Sequence, residues 1–258
     1  MAKFLKTLAD NARKAIDEGN YNINFTICKP TFSIKNAVKN HKHAPILTEI
    51  KFASPSMGTI REYMDPTRIA KDMIDAGCIG LSVLTQPYIF NGSMNYLANI
   101  RLLTDAPILM KDIMISNIQI EAAKKIGADC ILLIVSMFNE NLCENSIEYF
   151  TEKAHQLGLE VLLETHTEEE FKQAMKSNAD LIGINNRNLD TMNIDIKTTE
   201  NILKRCEKNK LVISESGISE PQEIRHLKSV GADAFLVGTS IMQSNNIKDK
   251  VKELVMAV

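Results

Sequence analysis

Residues 126–136 read IGADCILLIVS and residues 230–240 read VGADAFLVGTS, matching in length and layout, and SNADLIGINNR at 177–187 is a looser copy. Each has the form of a helix end, a turn and an apolar strand, the mark of a chain built from repeated βα units. Outward from these copies, short apolar runs recur as PILTEI (45–50), IGLSVL (79–84), APILMK (106–111), CILLIVS (130–136), LEVLLE (159–164), LIGIN (181–185), LVISE (211–215) and AFLVG (234–238). Helical stretches of roughly 20 to 30 residues lie between them, the room a parallel crossover needs. The runs are rich in Ile, Leu and Val and alternate little, which suits a parallel sheet buried on both faces. Eight such strands in 258 residues predict an α/β fold, an eight-stranded parallel (β/α)8 TIM barrel, which takes about 250 residues. A doubly wound open sheet is the alternative, but no glycine-rich dinucleotide fingerprint follows the first strand.

Helix boundaries agree with the alternation. MDPTRIAKDMIDAG (64–77) offers Asp65 as N-cap, Pro66 at the first helical position and Gly77 past the end. Thr167 with Glu170, and Ser219 with Gln222, read as capping boxes. The first 44 residues precede the first strand and form a helical extension (1–44) ahead of the barrel (45–258), one domain overall. Phe4, Leu5, Leu8, Ala12, Ala15 and Ile16 make a turn-spaced stripe among charges, an amphipathic helix and not a signal peptide's apolar core. The extension either plugs the barrel base or covers its mouth.

Hydrophobic residues are 45% and charged residues 24% of the chain, enough apolar side chains for a sizeable core. A net charge of −2 gives no general attraction to nucleic acid or to an anionic membrane. No run approaches the roughly 20 apolar residues of a membrane span. The five cysteines are odd in number and lack C-x-x-C spacing, which argues for a reducing, cytoplasmic compartment and against a disulfide framework. The five histidines show no metal-ligand spacing and read as surface residues.

In a (β/α)8 barrel the active site lies at the C-terminal strand ends. There the first strand carries Glu49 and Lys51, two apart and so on one face, followed by Ser54; the third ends in Lys111, the fifth in Glu164, the sixth in Asn185 with Arg187 beyond, the seventh in Glu215. A structural ion pair explains one buried charge, but not the convergence of this many on one rim. SESGI (214–218) and VGTSI (237–241) bring Ser216, Gly217, Gly238 and Thr239 to the last two strands, where barrels often hold phosphate. Lys111 and Glu164 are the natural acid and base, with the lysine expected to be lowered and the carboxylate raised by burial. Asp112 and Glu168 to Glu170 read as solvated.

EIKFASPS (49–56), LSVLTQPYIFNGS (81–93), LMKDI (109–113), IGINNRNL (182–189), SESGI and AFLVGTSIM (234–242), with KPTFSIKNAV (29–38) ahead of them, together resemble the indole-3-glycerol phosphate synthase family. The resemblance implies conversion of a phosphorylated small molecule, 1-(2-carboxyphenylamino)-1-deoxyribulose 5-phosphate, to indole-3-glycerol phosphate with loss of CO2 and water, in tryptophan biosynthesis. It implies no cofactor and no metal, and a monomer or weak oligomer is expected. Carried over by motif, Lys111 is the general acid and Glu164 the base or iminium stabiliser. Lys51, oriented by Glu49, holds substrate anions or shares the acid duty, and Ser54 also binds substrate. Glu215 and Asn185 position the amine and hydroxyls, Arg187 the carboxylate, and Ser216, Gly217, Gly238 and Thr239 the phosphate. The sequence departs from the family at Ile113, where an aromatic residue is usual and Phe90 substitutes in part, and at Met114, Phe52, Met57 and Gln86. Two other readings stand beside this one: a phosphoribosylanthranilate isomerase, which calls for a strand-end Cys and Asp pair not found here, and a non-catalytic phosphate-binding barrel.

Overall fold

The computed structural model describes residues 2–189 and 191–258. Eight parallel strands close into a barrel: β1 (Ile46–Ile50), β2 (Gly80–Leu84), β3 (Ile108–Lys111), β4 (Cys130–Ile134), β5 (Glu160–Thr165), β6 (Leu181–Asn185), β7 (Leu211–Glu215) and β8 (Ala234–Val237), each beside its neighbour in sequence, with β1 pairing both β2 and β8. All eight apolar runs are strands. CILLIVS is strand only to Ile134, because Val135 opens a short helix, Val135–Asn139.

Period two along each strand sorts the core into two layers. Ile46, Ile50, Leu81, Val83, Met110, Leu133, Leu163 and Ile182 face the outer helices. Leu47, Leu109, Cys130, Leu132, Leu162, Leu181, Ile213 and Ala234 fill the barrel's interior. One step of two further along, the inward series continues as Glu49, Lys111, Glu164 and Glu215, and past Gly183 as Asn185. The alternation that packs the lower barrel therefore aims charge into its upper end.

The repeated Asp of the sequence echo has a structural task. Asp129, Asp180 and Asp233 stand just before β4, β6 and β8, and each carboxylate accepts a backbone N–H from the start of the preceding strand: Ile108 at 2.8 Å, Val161 at 3.0 Å and Val212 at 2.7 Å. A cation backs each one, Arg101 at 3.1 Å, Lys35 at 2.9 Å and Lys208 at 2.6 Å. These clasps satisfy backbone donors that the ladder leaves open at the barrel's lower rim.

The extension divides between the two ends. Helix α1 (Ala2–Asp17) lies over the mouth, where Phe4 and Leu8 line the cavity described below. Helix α2 (Ile34–Asn40), capped by Ser33, is held at the base by Glu160, which accepts the Ile34 N–H at 2.8 Å. The plug and the cover are thus two separate helices.

Among the outer helices, α3 (Pro66–Asp75) starts as expected, with Asp65 accepting the Thr67 N–H at 2.9 Å. Thr167 caps α4 (Glu168–Lys176), but Glu170 turns its carboxylate to the His166 N–H at 2.6 Å. For α5 (Pro221–Ser229) the expected Ser219/Gln222 box is displaced by one: Glu220 is the N-cap and Glu223 closes the box. Proline's fixed φ and missing N–H suit the first helical position, so Pro221 sets that register.

Arg101 is buried with Asp129 as its counter-charge. Asp129→Asn should therefore destabilise by about 3–5 kcal/mol, since one buried charge loses its partner. Asp233→Asn, at a more open clasp, should cost about 1–3 kcal/mol. Denaturant unfolding of the two variants checks the order.

Candidate active site

All thirteen residues singled out in the sequence line one cavity of about 310 Å³ at the C-terminal end of the barrel: Glu49, Lys51, Ser54, Phe90, Lys111, Glu164, Asn185, Arg187, Glu215, Ser216, Gly217, Gly238 and Thr239. Ligand pockets begin at about this size. Strand register brings the charged ones level, with Glu164 opposite Gly183 and Asn185 opposite Glu215.

At the centre Lys111 Nζ lies 2.7 Å from Glu215 Oε2 and 3.2 Å from Glu164 Oε2. Asn185 Nδ2 donates to Glu164 Oε1 at 3.0 Å. Lys51 Nζ and Glu49 Oε1 form a second pair at 2.6 Å. Arg187 donates to Ser56 Oγ at 2.8 Å and to the Met192 carbonyl at 3.3 Å, joining the loop after β6 to the loop after β1.

The proton affinities run opposite to the expectation for the acid and base. Burial lowers that of Lys111, but the charges of Glu215, Glu164 and Glu49 outweigh it and raise it above the ordinary lysine value. Burial acts to raise Glu164, but Lys111 and His166 hold it well below the carboxylate range. The raised carboxylate is Glu215, pushed up to about 7 by burial and the nearby Glu164 charge against the pull of Lys111. One lysine shared by two carboxylates cannot fully stabilise both as anions.

Other residues read as solvated are buried here. Asp112 accepts from the Tyr21 hydroxyl at 3.0 Å, from the Thr85 hydroxyl and from the Ile113 N–H at 2.7 Å, and burial pushes it up to about 6. His166, read as a surface residue, has a side chain only 5% exposed, and Glu170 is buried beside it. Asn186, next to Asn185 at the end of β6, is a residue the sequence motifs do not single out. It accepts the Thr199 hydroxyl at 2.8 Å and donates to the Ser216 carbonyl at 3.0 Å, fixing the turn in which Ser216 and Gly217 have φ of 69° and 82°. The Ser240 hydroxyl donates to the Ile218 carbonyl at 3.0 Å and ties the loops after β7 and β8.

Beside β3 and β4 the cavity wall is apolar, made by Leu8, Phe90, Ile113, Leu132 and Ile134. Across the barrel, after β7 and β8, it is made of Ser216, Gly217, Gly238, Thr239 and Ser240. Ile113 does lie on the apolar wall, as does Leu132. Phe52 instead packs outside it, 5.6 Å from the Tyr96 ring and 5.7 Å from Tyr63.

A closed (β/α)8 barrel with an ammonium group between carboxylates, an apolar wall on one side and small hydroxyl-bearing loops on the other defines a barrel enzyme acting on a small molecule. The chain belongs to the indole-3-glycerol phosphate synthase family, whose model matches residues 5–254. Curated relatives of that name include the one from Methanocaldococcus jannaschii, 41% identical over 97% of this chain and 92% of its own. Those from Caldanaerobacter subterraneus subsp. tengcongensis and Acetivibrio thermocellus are 43% and 41% identical, over 87% and 84% of this chain and 84% and 82% of theirs. Among solved structures, thiamine phosphate pyrophosphorylase from Pyrococcus furiosus superposes with a TM-score of 0.61 at 16% identity, over 86% of this chain and 96% of that one, a likeness of fold alone. The family assignment sets the isomerase reading aside.

Two glycines hold the charged groups in place. A Cβ on Gly183 would collide with Glu215 Oε1, and one on Gly238 would lie 2.7 Å from Glu49 Oε1. Gly183→Ala should push Glu215 off Lys111 and lower turnover by about 10–100-fold, with a stability loss of only about 1–3 kcal/mol. Turnover measured beside a thermal melt tests it.

Proposed function

We propose that this cavity carries out the family's reaction, ring closure of 1-(2-carboxyphenylamino)-1-deoxyribulose 5-phosphate to indole-3-glycerol phosphate. The observation that carries the reading is Lys111, charged and held between Glu164 and Glu215 at the junction of the apolar wall and the hydroxyl-lined loops.

The substrate is anionic at both ends and aromatic at one. Its ring fits the wall of Leu8, Phe90, Ile113 and Leu132, with its carboxylate toward Lys51 and Arg187. Its phosphate fits the loops of Ser216, Gly217, Gly238 and Thr239, with Ser54 at the rim. Pinning both ends brings the ring carbon that bears the carboxylate against the ketone carbon, which removes much of the entropic barrier.

As those two carbons bond, the carbonyl electron pair takes a proton from Lys111, leaving a hydroxyl group and an iminium. In the free site the lysine is held by two carboxylates. The substrate amine competes for Glu215, and a lysine with fewer counter-charges releases its proton more readily. Glu164, kept anionic, stabilises the iminium. Loss of CO2 returns an electron pair to the ring and restores its aromaticity. The hydroxyl then takes a proton from Lys51 and leaves as water, and Glu164 accepts the proton from the neighbouring carbon to complete the indole. Glu49 orients Lys51, and Asn185 orients Glu164.

No helix among the described residues is long and apolar enough to cross a membrane. A cytoplasmic monomer or weak oligomer acting on a small phosphorylated substrate, without a nucleic-acid partner, is the form we propose.

Purified protein without added metal should develop indole fluorescence from this substrate. Lys111→Ala should lower turnover by about 10²–10⁴-fold while the circular dichroism spectrum stays that of the folded barrel. Unchanged turnover would remove Lys111 from the role of acid.

A further inference from the structure

We propose that His166 is a positioning residue for Glu164: backed by Glu170, its imidazolium holds the Glu164 carboxylate in place and in the ionised form. The inference rests on the synthase reading of the cavity and adds to it a residue that the substrate does not touch, since His166 lies outside the cavity lining.

The geometry is a line of three buried groups. His166 Nε2 is 3.2 Å from Glu164 Oε1, and on the far side of the ring Nδ1 is 3.4 Å from Glu170 Oε2. The three side chains are 4%, 5% and 8% exposed. Glu170 also accepts the His166 backbone N–H at 2.6 Å, so the start of α4 fixes both ends of the histidine. Neither ring nitrogen has a partner in hydrogen-bond alignment. What the ring supplies is therefore mainly positive charge.

That charge answers a deficit. The groups facing Glu164 are Lys111 from β3 on Oε2, and Asn185 from β6 together with His166 on Oε1. Glu215 from β7 draws on the same lysine at 2.7 Å, closer than Glu164 does. A buried carboxylate sharing one cation with a second carboxylate takes up a proton unless another cation is near. The groups facing the ring are Glu164 and Glu170. The short helix Val135–Asn139, packed against β5 and α4, carries no charged side chain. Burial disfavours the imidazolium, but Glu164 and Glu170 outweigh it and raise His166 to about 9.

NMR titration and pH-dependent kinetics test this, and either can overturn it. In the folded wild-type protein, NMR titration of the His166 ring should show it protonated through pH 8; titration at or below the ordinary value of about 6.5 overturns the proposal. In His166→Gln, the acid limb of kcat/KM should move up by about 1 to 3 pH units, with KM nearly unchanged above the limb. Glu170→Gln, which leaves the imidazole in place, should move it the same way by less. A uniform fall in rate with the limb unmoved would mean that His166 only packs. The NMR result needs no substrate, so an inactive wild-type protein would sink the synthase reading without deciding this one, which a carboxyl ¹³C titration of Glu164 in His166→Gln then decides.

Discussion

A buried ammonium ion between two carboxylates sets the terms for the upper half of the barrel. Ions inside a protein are stable only when their surroundings replace the water they lose. Lys111, Glu164 and Glu215 replace it with one another and with Asn185 and His166. Because three strands contribute the charged members, no one of them has meaning apart from barrel closure. The glycines follow from the same constraint: Gly183 leaves room for Glu215, and Gly238 for Glu49.

The two ends of the barrel solve different problems with the same kinds of groups. At the base, Asp129, Asp180 and Asp233 are each matched by a cation and a backbone N–H, and these clasps serve stability. At the mouth, the cations are outnumbered by carboxylates, and Glu215 sits at about 7, where a proton moves at little cost. The clasp aspartates recur in the sequence echo because each closes the same strand-to-strand step.

The fold was legible because its signal is local. Each strand is a short apolar run, and period two converts strand position into inside or outside without any tertiary knowledge. The same rule located the charged rim, and Glu49, Lys51, Lys111, Glu164, Asn185 and Glu215 all line the cavity. It would also have found His166, which stands two after Glu164 as Lys51 stands two after Glu49. The cap reading of Thr167 and Glu170 accounted for that stretch and concealed it. Asp112 was illegible for another reason: its burial depends on the Tyr21 hydroxyl, 91 residues away in sequence. The direction of the Lys111 shift depends likewise on distances to Glu164 and Glu215 that no spacing encodes.

Tyr21 also shows why the extension belongs to the chemistry. Its hydroxyl reaches both Asp112 oxygens at 3.0 Å, and Asp112 is the residue after Lys111. The chain leaving α1 is thereby tied to the backbone that carries the proposed acid, while Phe4 and Leu8 of that helix close over the cavity. Lys14 over the Tyr88 ring, 4.4 Å from its centroid, and Arg13 donating to the Leu142 carbonyl at 3.1 Å hold the helix to the loops after β2 and β4. A cover anchored at these points adds apolar surface beside the Lys111 cluster, and charge interactions are stronger where the surroundings are less polar. The barrel supplies the charged groups of the cavity; α1 supplies part of its apolar wall.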